Sequence, residues 1–384
     1  MLTGNINFKN FKIKKNTKKV KKILKKLLQE DNEIIRSLRK SYRNSYHRKL
    51  VNKYSKTLNY RIIGMGGSTL GAQTIYDFLR KKIKKKFSFI DNLQAFSKIN
   101  NDEKITNLVI SKSGNTIETI INTNLLLKKK HRNIFITENN KSYLYLLAEK
   151  LKADIVKHNN FIGGRYSVLS EVGMLPAELM GLKSNKFKNL NLLVKNKIFF
   201  NSLISNVSST LHFIKNKKYN SIIINYDENS QNLFNWYQQL IAESLGKNKK
   251  GILPIISNMP KDNHSVMQLY LDGFKNNFYT FFFVNENNST RIKTNFHKNK
   301  SFSYLKNKNL NQIKLSQKLA TENVFQKKNI PFRSFTIFKR DEKTLGELFS
   351  FFILETILIG KMLNLNPYDQ PAVELIKKET KKIL

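Results

Sequence analysis

From Tyr60 onward, short apolar runs that break off in small polar residues alternate with longer runs whose apolar residues recur every three or four positions. "YRIIGMGG" leads into "GAQTIYDFLRKKI", "LVISKSG" into "TIETIINTNLLLKKK", and "NIFITEN" into "KSYLYLLAEKL". Strand–helix–strand order of this kind calls for parallel strands joined by crossover helices, so it narrows the fold class to α/β. The rhythm restarts with "NSIIINY" (220–226) and "SQNLFNWYQQLIAESLG". Further strand candidates are "GILPIIS", "FYTFFFVN" (278–285) and "RSFTIFK" (333–339). The long helix "EKTLGELFSFFILETILIGKML" and a last one over 371–383 close the chain. Its 384 residues exceed one ordinary core. Two α/β units are expected, 51–190 and 191–384. Residues 1–50 read as a basic helical N-terminal arm, because "VKKILKKLLQEDNEIIRSLRKSY" has helical apolar spacing. Residues 286–316 are polar and read as loop-rich.

The formal net charge is +42, which by itself suggests a nucleic-acid partner. Lysine far outnumbers arginine, however, and the lysines run the whole length. There is no zinc-finger spacing and no cluster of aromatics of the RNA-binding type. The charge reads as compositional bias, no nucleic-acid partner is expected, and its main consequence is to concentrate small anions near the surface. With no cysteine, disulfides, thiolate chemistry and Cys-type zinc sites are excluded. The start has no apolar signal region. The most apolar stretch, residues 348–363, is interrupted by Glu355 and Lys361 and is short of a membrane span. It reads as a buried helix, so no membrane partner and a cytoplasmic location are expected.

Four segments carry chemistry. "GMGGSTLG" (64–71) has Thr69 where a dinucleotide fingerprint needs its third glycine, and no P-loop lysine follows. It is a tight turn or a place where backbone approaches a ligand, with Ser68 as a donor. "SKSGNT" (111–116) ends a strand and precedes a helix. Free N–H groups at a helix start, with the hydroxyls of Ser111, Ser113 and Thr116 and the charge of Lys112, suit a phosphate-sized anion. Gly114 lets the backbone curl there. "GGRYS" (163–167) sets Arg165 after two glycines. In "WYQQLIAESLGK" (236–247), Gln239 and Glu243 lie four apart on one helix face. Their apolar neighbours suggest partial burial of the glutamate. None of the six histidines pairs with another at ligand spacing, so no metal is expected.

These segments, in this order, resemble those of the glucose-6-phosphate isomerase (phosphoglucose isomerase) family in its short bacterial form. "DNHSVMQLYLDG" is similar to the family's histidine segment and "NPYDQPAVELIKK" to its terminal glutamine–lysine segment. The resemblance implies two sugar-isomerase domains, each a mainly parallel sheet flanked by helices, and cofactor-free interconversion of glucose 6-phosphate and fructose 6-phosphate. It implies Glu243 as the base, Arg165 as the stabiliser of the enediol charge, and His264 and Lys377 as aids to ring opening. Lys378 competes for the last position; Lys377, seven residues after Gln370, is preferred. Ser111, Lys112, Ser113 and Thr116 would hold the phosphate, with Ser68 and Gln370 close by, and Gly67, Gly164 and Gln239 would line the site. The resemblance also implies a homodimer in which His264 is donated across the interface. A bifunctional enzyme that also takes mannose 6-phosphate, or a non-catalytic sugar-phosphate-binding module on the same fold, remain alternatives. The joint presence of Glu243, His264 and Lys377 favours an enzyme over the module.

Overall fold

The computed structural model describes residues 1–13, 17–94, 105–128, 131–286, 289–292 and 304–384. Their strands are β1 (Ile6–Lys9), β2 (Asn59–Gly64), β3 (Lys86–Ile90), β4 (Ile105–Ile110), β5 (Arg132–Thr137), β6 (Asp154–Lys157), β7 (Asn220–Asn225), β8 (Leu253–Asn258), β9 (Asn277–Val284) and β10 (Phe332–Ile337). They form two five-stranded sheets flanked by helices. The first, in the order β3-β2-β4-β5-β6, is parallel throughout. The second runs β1-β10-β9-β7-β8 and is parallel except for β1, which lies antiparallel to β10. Strands covered on both faces read as continuous apolar runs, and β2, β4, β5 and β9 are buried along nearly their whole length.

In the first sheet β2 has its successor β3 on one side and β4 on the other. The connections part at that point and leave a crevice beyond the carboxyl ends of the two strands, the usual ligand position in such sheets. Gly64 of β2 is in register with Ile110 of β4, so the loops that follow the two strands emerge side by side.

The helix Glu342–Met362 is buried from Thr344 to Gly360. A helix buried all round must pair its polar groups. The carboxylate of Glu355 accepts from Arg333, from Asn206 Nδ2 at 2.5 Å and from the Tyr237 hydroxyl at 3.1 Å. Arg333 in turn donates to Asn206 Oδ1 at 2.8 Å, Thr280 Oγ1 at 2.9 Å and Tyr237 at 3.1 Å. Tyr237 lies on the helix Gln231–Leu245, so this cluster anchors the element that bears Glu243. Among the described residues no helix is long and apolar enough to cross a membrane.

Several elements differ from the expectation. The N-terminal segment, read as helical, begins with β1, which completes the edge of the second sheet. Strands β3 and β6 and the helices Lys197–Lys215 and Leu310–Lys327 were not anticipated. The last of these begins inside the stretch read as loop-rich, 286–316, of which 287–288 and 293–303 lie outside the described residues.

Candidate active site

Two loops at the crevice are built for close backbone approach. After β2, Gly66–Ser68 forms a short turn of 3₁₀ helix. A methyl group at position 67 would lie 2.2 Å from the carbonyl carbon of Gly164, so only glycine lets this loop pack on Gly163–Gly164–Arg165. After β4 comes the segment Ser111–Thr116, which leads into the helix Ile117–Leu126. Gly114 has φ +64, and a Cβ there would fall 1.9 Å from Ser142 Oγ. The Oγ atoms of Ser111 and Thr116 are 3.0 Å apart, and Ser113 is exposed. Lys112 turns aside. Its Nζ donates to the Asn160 carbonyl at 2.7 Å and lies 3.6 Å from Glu138.

Arg165 is the hub. Its side chain is 1% exposed, and every nitrogen of the guanidinium has a partner. Nε donates to Ser244 Oγ at 2.8 Å. Nη1 donates to Glu243 Oε2 at 3.1 Å and to Gln370 Oε1 at 2.7 Å. Nη2 donates to the carbonyls of Pro367 at 2.8 Å and Asp369 at 3.0 Å. Trp236 Nε1 holds the Arg165 carbonyl at 3.0 Å. Glu243, 30% exposed, also accepts from Gln239 Nε2 at 2.9 Å, which the spacing of four along the helix makes possible. Gln239 packs over Gly66, and its Oε1 is buried without a protein partner. The segment Asn366–Asp369 is tied down by Lys247, which donates to the Asn366 carbonyl and to Asp369 Oδ1 at 2.6 Å. That hydrogen bond holds the Asp369 carboxyl below its usual range. Burial pushes the Tyr166 hydroxyl up, so it is protonated and able to donate.

The structure therefore joins Arg165, Glu243, Gln239 and Gln370 in one hydrogen-bonded chain, with Gly67 against Gly164. Ser68, half-buried, ends the turn after β2, and the segment holding Ser111, Lys112, Ser113 and Thr116 emerges beside it from β4. His264 and Lys377 are not in the cluster. His264 is exposed in the turn Lys261–His264 after β8. Lys377 is exposed on the helix Val373–Ile383, which buries none of its residues, and its Nζ donates to Glu374 Oε1 at 2.6 Å. Lys378 is exposed on the same helix. Sequence reading passed over Ser244, Tyr166, Trp236 and Lys247, although all four stand inside the quoted segments. It had no means of finding the carbonyls of Pro367 and Asp369. Among the described residues there is no group of three His, Cys, Asp or Glu side chains placed to hold a metal ion.

With a carboxylate open to solvent, a buried cation beside it and a loop rich in donors at a helix start, the crevice suits an anionic substrate that exchanges a proton. A family model described as phosphoglucose isomerase matches residues 9–384. The glucose-6-phosphate isomerase of Methanocaldococcus jannaschii is 32% identical over 364 residues, which cover 88% of each chain. That of Mycoplasmopsis pulmonis is 33% identical over 355 residues, covering 84% of this chain and 82% of the other. Among solved structures, a hypothetical protein from Thermus thermophilus superposes with TM-score 0.82 at 20% identity, over 95% of this chain and 94% of that one. A glucose-6-phosphate isomerase from Chlamydia trachomatis superposes with TM-score 0.69 at 18% identity, over 87% and 71%. These two likenesses concern the fold.

Proposed function

Since the chain belongs to the phosphoglucose isomerase family and interconverts glucose 6-phosphate and fructose 6-phosphate, we propose that Glu243 is the base that carries the proton between C2 and C1. A proton alpha to a carbonyl needs a carboxylate within hydrogen-bond reach, and the oxygen that gains charge needs a fixed positive partner. The observation that carries the reading is the chain Gln239–Glu243–Arg165. One carboxylate oxygen is held by the amide and the other by the guanidinium, so the base has a set orientation. Arg165 faces the enediolate charge from a position it cannot leave. The unpartnered Gln239 Oε1 is free to accept from a substrate hydroxyl. Ser111, Lys112, Ser113 and Thr116, with Ser68, take the phosphate, whose binding energy is gained far from the reacting carbons. Sugar phosphates are made and consumed inside cells, so this reading goes with a cytoplasmic enzyme of glycolysis and gluconeogenesis. Glu243→Gln keeps the shape and removes the proton acceptor. Turnover should fall about 100-fold or more while KM stays within a few-fold. More than a tenth of wild-type turnover would end this role for Glu243.

His264 stands exposed in the turn after β8 and has no part in the hydrogen-bonded chain around Glu243. We propose that it serves the site of a second copy in a homodimer, where it and Lys377 assist ring opening. Glu243→Gln and His264→Ala chains would then be inactive alone. Refolded together in equal amounts they should regain roughly a quarter of wild-type activity, because about half the dimers are mixed and one site in each carries neither lesion. No recovery, with mixed dimers verified by a tag on one chain, would rule out the shared site.

A further inference from the structure

Ser244 follows the proposed base in sequence and is fully buried. Its Oγ lies 2.8 Å from Arg165 Nε and 2.8 Å from the hydroxyl of Tyr166. A guanidinium only donates, so the serine oxygen accepts from Arg165. The Tyr166 hydroxyl is also 2.9 Å from the Pro367 carbonyl, which only accepts, so the tyrosine hydrogen is committed there. The remaining hydrogen, that of Ser244, must then point at the tyrosine oxygen. The direction of every bond is thus fixed: Arg165 Nε to Ser244, Ser244 to Tyr166, Tyr166 to the Pro367 carbonyl. That carbonyl also accepts from Arg165 Nη2 at 2.8 Å, which closes a ring along the Nε–Nη2 edge of the guanidinium. Because the guanidinium is planar, fixing that edge fixes where Nη1 points, and Nη1 is the nitrogen shared by Glu243 and Gln370.

We propose that Ser244 is a positioning residue for the isomerisation: its hydroxyl orients Arg165 so that Nη1 stays on Glu243 and Gln370, with its positive charge beside the charge building on the substrate. The proposal rests on the reading of Arg165 as the group that stabilises that charge. Preorganised donors contribute most when they need no reorientation at the moment of reaction. Removing the hydroxyl leaves a buried Nε–H unpaired and lets the guanidinium turn in its plane.

The test compares Ser244→Ala and Tyr166→Phe with wild type in three measurements. These are turnover and KM with fructose 6-phosphate, binding of two inhibitors, and the melting temperature. The inhibitors are 5-phosphoarabinonate, whose carboxylate carries negative charge where the enediolate would, and sorbitol 6-phosphate, which is neutral at that end. Ser244→Ala should lower kcat about 10- to 100-fold with KM within about threefold. It should weaken 5-phosphoarabinonate by a similar factor and leave sorbitol 6-phosphate binding within about twofold. Tyr166→Phe, which keeps the serine on Arg165 but opens the ring, should show the same pattern with a smaller loss of about 3- to 10-fold. A Ser244→Ala enzyme within about twofold of wild-type kcat overturns the proposal. So does equal weakening of both inhibitors with a lowered melting temperature, the mark of simple packing damage. Glu243→Gln is assayed alongside. If it is inactive while Ser244→Ala is normal, only the role of Ser244 falls; if it is active, the reading of the whole site falls with it.

Discussion

Gly67 and Gly164 lie in contact across two loops, so closely that a Cβ on the former would stand 2.2 Å from the carbonyl carbon of the latter and 2.5 Å from the amide nitrogen of Arg165. No rotamer change relieves a clash with backbone. Gly67→Ala should therefore push the arginine loop away from the β2 loop. We expect a loss of stability of about 1–3 kcal/mol, read as a lower urea midpoint, together with a fall in turnover. Unchanged activity would mean that the loop contact does not set the place of Arg165.

The segment Ser111–Thr116, proposed to take the phosphate, gives a second test. Ser113 is exposed, with its Oγ accepting from the Asn115 N–H at 3.3 Å, and Thr116 Oγ1 lies 3.0 Å from the Ser111 hydroxyl, so both hydroxyls stand on the loop that would meet the phosphate. Ser113→Ala with Thr116→Ala should raise the inhibition constant of inorganic phosphate and the KM for fructose 6-phosphate about 10-fold or more, with a smaller effect on kcat. Inhibition by phosphate equal to wild type would assign the loop another task.

His158, 1% exposed at the end of β6, gives a pH dependence. Burial pulls its pKa down from 6.5 to about 4, against the opposing hydrogen bond of Nδ1 to the Asn159 carbonyl and with a further lowering by Lys112. Between those values the unfolded chain binds a proton that the folded chain does not. Stability therefore rises with pH through the window and is lost as pH falls from 6.5 toward 4, by about 3 kcal/mol in full. Urea unfolding at pH 6.5, 5.5 and 4.5 should show this slope in the wild type and a shallower one in His158→Asn. Parallel slopes would show that other groups carry the acid sensitivity.

The alternation of strand and helix was legible because parallel strands covered on both faces carry apolar runs, as β2, β4 and β9 do at 62–63, 108–110 and 281–284. The helix Leu310–Lys327 was not, because it buries Lys318 and Glu322 as a pair 2.8 Å apart where a pattern search looks for apolar residues. Strand β1 has four residues and a partner at the opposite end of the chain, which no local pattern announces. Within the site, Gln239 and Glu243 could be put on one helix face by spacing alone, and the segment Ser111–Thr116 between a strand and a helix by its small polar residues. The enclosure of Arg165 could not be read. Two of its five partners are backbone carbonyls on a distant loop, and a carbonyl belongs to every residue alike.

The pairing of β1 with β10 also bears on how the protein is made. Ile6–Lys9 leaves the ribosome long before Phe332–Ile337, the strand it must lie against. During synthesis the early strand has nowhere native to go, and the later one, when it arrives, offers a bare edge that any extended chain could take. Closing that edge is a late, long-range step, and the segment that performs it is translated well before the strand it covers.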